Sequence, residues 1–129
     1  MIRIDFDTFA KEVLSEIGTI LVKQGKANMN KTSFGRVYII GGKRHIASKA
    51  GDTANNQSGA LNETIHFEIS GTILEFGAGD KKVNYAKFLE LGTNRMDKRP
   101  NYTKSILQSK TKIDIAIAQS IAKNMRWTV

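Results

Sequence analysis

Few side chains in this sequence could make or break a bond. His45 and His66 are the only histidines, and there is no cysteine. Thiol nucleophiles, disulfides and cysteine-held zinc or iron–sulfur centres are therefore excluded, which is compatible with a reducing compartment. His66 stands two residues before Glu68, the spacing of neighbours on one face of a strand. Such a pair could touch a metal ion, but two ligands from one strand do not make a site, so both read as surface residues. Glu90 lies between Leu89 and Leu91. A protonated carboxyl there would suit a general acid, but no second acid stands at a recognisable spacing, and the residue reads as structural. The run Gly77-Ala78-Gly79 is only a fragment of a phosphate-cradling loop and reads as a turn. Neither a Gly-Lys-Ser/Thr loop nor a Gly-x-Gly-x-x-Gly fingerprint is present. No catalytic, cofactor-binding or metal-ligating residue is expected.

The elements that would position these groups run helix, strands, helix. Phe6, Phe9, Ala10, Val13, Ile17, Ile20 and Leu21 recur every three or four positions and predict an amphipathic helix over 6–22. Asp5 or Asp7 can cap its start, and Gly25 with Asn28-Met29-Asn30 marks its end. The β-formers of 36–40 lie between Gly35 and Gly41-Gly42 and predict a strand. A long loop rich in Gly, Ser, Asn, Thr and Lys follows to Gly59. Alternation over 63–69, the Ser70-Gly71 turn and Thr72–Phe76 predict a hairpin. Tyr85, Phe88 and Leu89 predict a short helix over 83–91, with Gly92 at its C-cap. Beyond Pro100, Ile106, Ile113, Ile117, Ile121 and Met125 suggest a mostly helical 102–125, although 113–117 also fits strand alternation. The expectation is one α+β domain over 1–129: N- and C-terminal helices packed on a small antiparallel sheet, with a long loop around 41–58.

The 129 residues are 40% apolar and 25% charged, as in an ordinary globular domain. No apolar run approaches the roughly 20 residues of a membrane helix, and Met1–Asp5 lacks an apolar signal core. Charge is segregated. The net charge is +8, yet residues 17–51 carry seven bases and no acid, and residues 52–80 carry five acids and no Lys or Arg. Residues 81–112 again hold nine bases against two acids. Such blocks suit phosphate binding, contacts between subunits, or simple solvation.

Residues 85–93, Tyr-Ala-Lys-Phe-Leu-Glu-Leu-Gly-Thr, resemble the Tyr-Ala-x-aromatic-apolar-Glu-apolar-Gly-Thr signature of neck and tail-completion proteins of tailed bacteriophages. Three further features fall in the same order. His45–Asp52 resembles the family's His-x-x-Ser-x-Pro-Gly-acid loop, and Ser58-Gly59-Ala60-Leu61 its Ser-Gly-x-Leu entry to the first hairpin strand. Arg95-Met96 and Pro100 precede a C-terminal helix as in the family. The resemblance spans roughly 44–107. Ala50 and Ala54 stand where prolines are common, which predicts a more mobile loop. Asn101 replaces the usual aromatic after Pro100.

On physical grounds Tyr85, Phe88 and Leu89 can anchor the short helix to the sheet, while Gly92 permits a positive φ. Glu90 could pair with a base such as Arg95 or accept backbone hydrogen bonds. Gly59 allows a tight turn into the strand, and Leu61 plugs the core edge. Ser58, Ala86, Thr93 and Pro100 complete the structural signature. Nothing in it demands a reactive group. The resemblance implies a virion protein at the head–tail junction, made in the bacterial host cytoplasm, without cofactor or membrane. It further implies a homohexameric ring around a channel that genomic DNA crosses, joined to other neck, connector and tail proteins. Lys43, Arg44, His45, Lys49, Glu63, Glu68, Arg95, Lys98 and Arg99 are the candidate interface residues. Two other readings compete: a small basic DNA-binding protein, and a hydrolase or toxin using Glu90 with His45 or His66.

Overall fold

The computed structural model describes residues 1–56, 59–79 and 85–128. Its elements are β1 (Ile2–Ile4), α1 (Phe6–Asn30), β2 (Val37–Ile40), β3 (Lys43–Ile46), α2 (Ala60–Glu63), β4 (His66–Ser70), β5 (Ile73–Gly77), α3 (Ala86–Leu91), α4 (Tyr102–Gln108), α5 (Lys110–Lys123) and β6 (Met125–Trp127). The class is α+β, as expected. The strands form three separate antiparallel pairs, β1–β6, β2–β3 and β4–β5, instead of one small sheet.

The long helix α1 organises the rest. Asp5 caps it, accepting from the Asp7 and Thr8 amides at 3.1 and 3.2 Å. These bonds, the Thr8 amide foremost, hold the Asp5 carboxyl below its usual range. The helix runs eight residues past the expected Val22 terminus, to Asn30. Gly25 does not end it, because the missing side chain serves packing. A methyl there would stand 3.4 Å from the Phe76 ring, and the Gly25 carbonyl accepts from Asn101 Nδ2 at 3.1 Å. Gly18, one heptad earlier, lies against the Phe67 ring so closely that any side chain would overlap it. The inward-facing Phe67 and Phe76, directly opposite each other in the β4–β5 register, thus sit over two glycines of α1. Val13 and Leu21 are buried as the stripe predicts, and Met29, beyond it, is buried too, but Phe6 is largely exposed, its ring edge on Phe9.

The expected long loop is half hairpin. Gly41 and Gly42 both take positive φ, 57° and 76°, the signature of a type I′ turn, and 43–46 returns as β3 beside β2. Beyond it, side chains tether the remaining loop. Asn55 donates to the carbonyls of Ser33 and Ile46, each at 2.8 Å, and Thr53 Oγ1 donates to the Pro100 carbonyl at 2.8 Å.

The C-terminal helix is two helices broken at Ser109, and the 113–117 run is helical. Its buried line is not the isoleucine stripe. Ser105, Ser109, Ala116 and Ser120 are buried, while Ile113, Ile117 and Ile121 are only half-buried, and Ile106 and Met125 are exposed. Small side chains let α4 and α5 lie close along α1. The strand pair β1–β6 then joins the two ends, with the Met1 ammonium 3.0 Å from the Thr128 carbonyl. The core centre gathers Met29, Leu61, Ile65 and Ala86, flanked by Val22, Phe76, Leu89 and Tyr102. Among the described residues, no helix is long and apolar enough to cross a membrane.

Candidate functional site

The motif residues build a closed corner between α3 and α4. Ala86 and Leu89 turn inward to the core. After α3, Gly92 takes φ 75° and donates its amide to the Phe88 carbonyl at 2.8 Å. A side chain there would meet the backbone of Lys98 and Met96 at about 3 Å, so both the φ and the close approach require glycine. Thr93 and Met96 exchange backbone bonds of 2.8 and 3.3 Å around a tip formed by Asn94 and Arg95. The chain then returns, and the Arg99 amide donates to the Leu89 carbonyl at 2.5 Å.

Glu90 closes the corner. Its Oε2 accepts from the amides of Asn101 and Tyr102 at 2.6 and 3.1 Å, and its Oε1 from that of Thr103 at 2.9 Å. The first turn of α4 has no capping bond from its own N-cap side chain. A carboxylate from 11 residues upstream supplies it, and its charge meets the positive end of the helix. Of the two roles open to Glu90, backbone acceptor is therefore the one observed; no ion pair to Arg95 is seen among the described residues. Burial first, and then the Glu90 charge, pushes the Tyr102 phenol up to about 12.

Tyr85 and Phe88 do not anchor α3 to a sheet. Both are exposed, and with Leu91 they form an apolar ridge in which Phe88 is 54% and Leu91 68% accessible. Residues one turn apart on the same short helix point two ways, and only Ala86 and Leu89 find the core. Gly59, at φ 84°, precedes α2, and Leu61 is buried as expected. The strand begins at His66, after that short helix. Ser58 lies outside the described residues, as do Asp80 and the start of the expected 83–91 helix.

The candidate interface residues fall into three places. Lys43 and Arg44 project from the β2–β3 hairpin, where His45 stacks on Tyr38 with ring centroids 5.4 Å apart. Lys49 and the Arg95–Arg99 run lie on two segments joined where the Gly51 amide donates to the Lys98 carbonyl at 3.0 Å. Arg99 is half-buried, its guanidinium donating to the Asp97 carbonyl at 2.8 Å. Glu63 and Glu68 are exposed on α2 and β4. His66 and Glu68 approach to 3.4 Å, a charged pair only when the imidazole is protonated. Glu75 stands directly opposite Glu68. Among the described residues, no group of three His, Asp or Glu side chains could hold a metal ion.

Two features escape sequence reasoning. A polar network running from the buried Asn101 and Ser105 out to the exposed Gln108 joins α1 to α4: Asn28 Nδ2 donates to Asn101 Oδ1 at 3.2 Å and to Gln108 Oε1 at 2.8 Å, and Ser105 Oγ donates to Asn101 Oδ1 at 3.2 Å. Asn101, read as a departure from the family pattern, is its hub. An open groove of about 970 Å³ also runs between α1 and α5, lined by Ile20, Ile115, Ala116 and Ser120 and by both Lys and Glu side chains. No family model, curated protein or solved structure matches this chain.

Proposed function

We propose that the chain is a structural virion protein of a tailed bacteriophage, acting at the head–tail junction as a neck, connector or tail-completion component. It assembles as a homohexameric ring around the channel that DNA crosses, binds neighbouring neck and tail proteins, and catalyses nothing. The observation that carries this reading is how the motif residues are used. Glu90, the carboxylate of the 85–93 run, has both its oxygens committed to three backbone amides. Of the other residues of 85–93, Ala86 and Leu89 pack the core, Gly92 and Thr93 make the turn, and Tyr85, Phe88 and Leu91 form the exposed ridge. A motif divided between a rigid corner and an apolar outer ridge suits a protein that presents a fixed shape to neighbours. The basic tip around Lys49, Arg95 and Lys98 is the surface assigned to other neck or tail proteins.

The test is electron microscopy of phage particles made without this protein. Full heads and complete tails left unjoined are expected. Particles of normal form and infectivity would remove the reading.

A further inference from the structure

The β2–β3 and β4–β5 hairpins are opposite in character, and each lacks what the other carries. On one face of β2–β3 lie Val37, Ile39 and Arg44, with Ile39 and Arg44 directly opposite in register. Ile39 is 73% accessible and Arg44 is exposed. An isolated two-stranded hairpin is marginal in water unless something covers a face, and among the described residues no helix makes an extended contact with this hairpin. The outward face of β4–β5 carries Glu68 and Glu75 directly opposite each other, with Ile73 exposed on the same side. Like charges in directly opposed positions destabilise a strand pair. Segment 52–80 offers no Lys or Arg to relieve them, and among the described residues no lysine or arginine is ion-paired to either carboxylate.

We propose that the outward face of β4–β5 seats the β2–β3 hairpin of a second copy of this chain, with Arg44 between Glu68 and Glu75 and Ile39 on Ile73. The planar guanidinium matches two carboxylates at once, and the apolar pair excludes water beside them. Because the two surfaces differ, the contact is head-to-tail, the kind that closes into rings. Nucleic acid would meet the basic hairpin but leave the opposed glutamates as they are, which favours a second copy as the occupant. The inference rests on the self-assembly half of the proposed function.

The faces are small beside the roughly 800 Å² per partner of a stable interface, so association is read by sedimentation at low salt, from micromolar to about 1 mM. The wild-type chain self-associates, and Arg44→Glu or the double change Glu68→Lys/Glu75→Lys each weakens this at least tenfold. The two variants mixed in equal amounts associate again, as does a single chain carrying all three substitutions, since charge is complementary in both cases. All these positions are exposed, and circular dichroism checks that folding is retained. Association unchanged in either variant, or no rescue on mixing, overturns this contact while leaving the head–tail reading to the particle experiment. A wild-type chain that stays monomeric throughout the range also overturns it. A DNA duplex binding wild type and Glu68→Lys/Glu75→Lys alike, with no self-association in either, would assign the basic hairpin to phosphate instead.

Discussion

Replacing Glu90 by alanine removes the side-chain cap on α4. Three amides, those of Asn101, Tyr102 and Thr103, lose an ionised acceptor at 2.6–3.1 Å. Hydrogen bonds to charged groups contribute about 1.5–3 kcal/mol each, and ordinary N-cap removals cost about 0.5–2. Water reaches part of the half-buried corner and replaces some of the loss, so the three bonds together are worth about 3 kcal/mol rather than their sum. At an unfolding entropy of about 2.1 cal/mol/K per residue, a 129-residue chain loses about 10 °C in Tm. Glutamine keeps one acceptor oxygen but turns an amide N–H₂ toward the other donors, so Glu90→Gln falls by about half as much. Differential scanning calorimetry with far-ultraviolet dichroism measures both. A Glu90→Ala protein melting within about 2 °C of wild type would refute the cap as what holds the α3–α4 corner. The same series bears on catalysis, since an acid–base role would make Glu90→Gln inactive in a substrate assay without the graded thermal loss.

Gly18→Ala reverses the usual sign of a helix substitution: propensity alone would add about 1 kcal/mol, but overlap with Phe67 costs more, and a net loss of about 1–3 kcal/mol in urea unfolding is expected. Tyr102 titrates near 10 unfolded and about 12 folded, so the native state holds its proton longer; wild-type stability therefore falls as pH rises from 10 towards 12. Tyr102→Phe should lose that slope, and equal slopes in urea titrations at alkaline pH would refute the assignment.

Periodicity exposed α1, the β4–β5 hairpin and α3, because each carries an apolar pattern matching its own backbone repeat, while β2 showed in its β-forming residues between glycines. Errors arose where a distant partner decided the outcome. Gly25 and Asn28 resemble a helix end locally, yet Phe76 and Asn101 make both useful inside the helix. Gly41-Gly42 is a strong hairpin turn in isolation, but the polar Lys43-Arg44-His45 that follows lacks the alternation expected of a strand. The seam of Ser105, Ser109, Ala116 and Ser120 is invisible to a search for large apolar residues; it is read only as close approach between helices. The Glu90 cap reaches across 11 residues to Asn101, beyond any local capping pattern. The strands β1 and β6, three residues each, owe their existence to one another.

The exposed half of the signature has a physical consequence for how the chain exists. Had Tyr85 and Phe88 been core residues, packing alone would account for them. Instead Ala86 and Leu89 do that work, and the larger side chains stand outward on a helix of six residues. So short a helix cannot hold itself together; the Glu90 cap, the Gly92 turn and the Leu89–Arg99 bond fix its orientation from outside. Rigidity of that kind keeps an apolar ridge presented in one geometry, where a flexible loop would let it fold back. The β2–β3 hairpin also exposes apolar Ile39 and Ile40, beside Lys43 and Arg44, but without such support. Exposed apolar residues on rigid supports lower the ordering cost of association, and the segregated charges choose which face meets which.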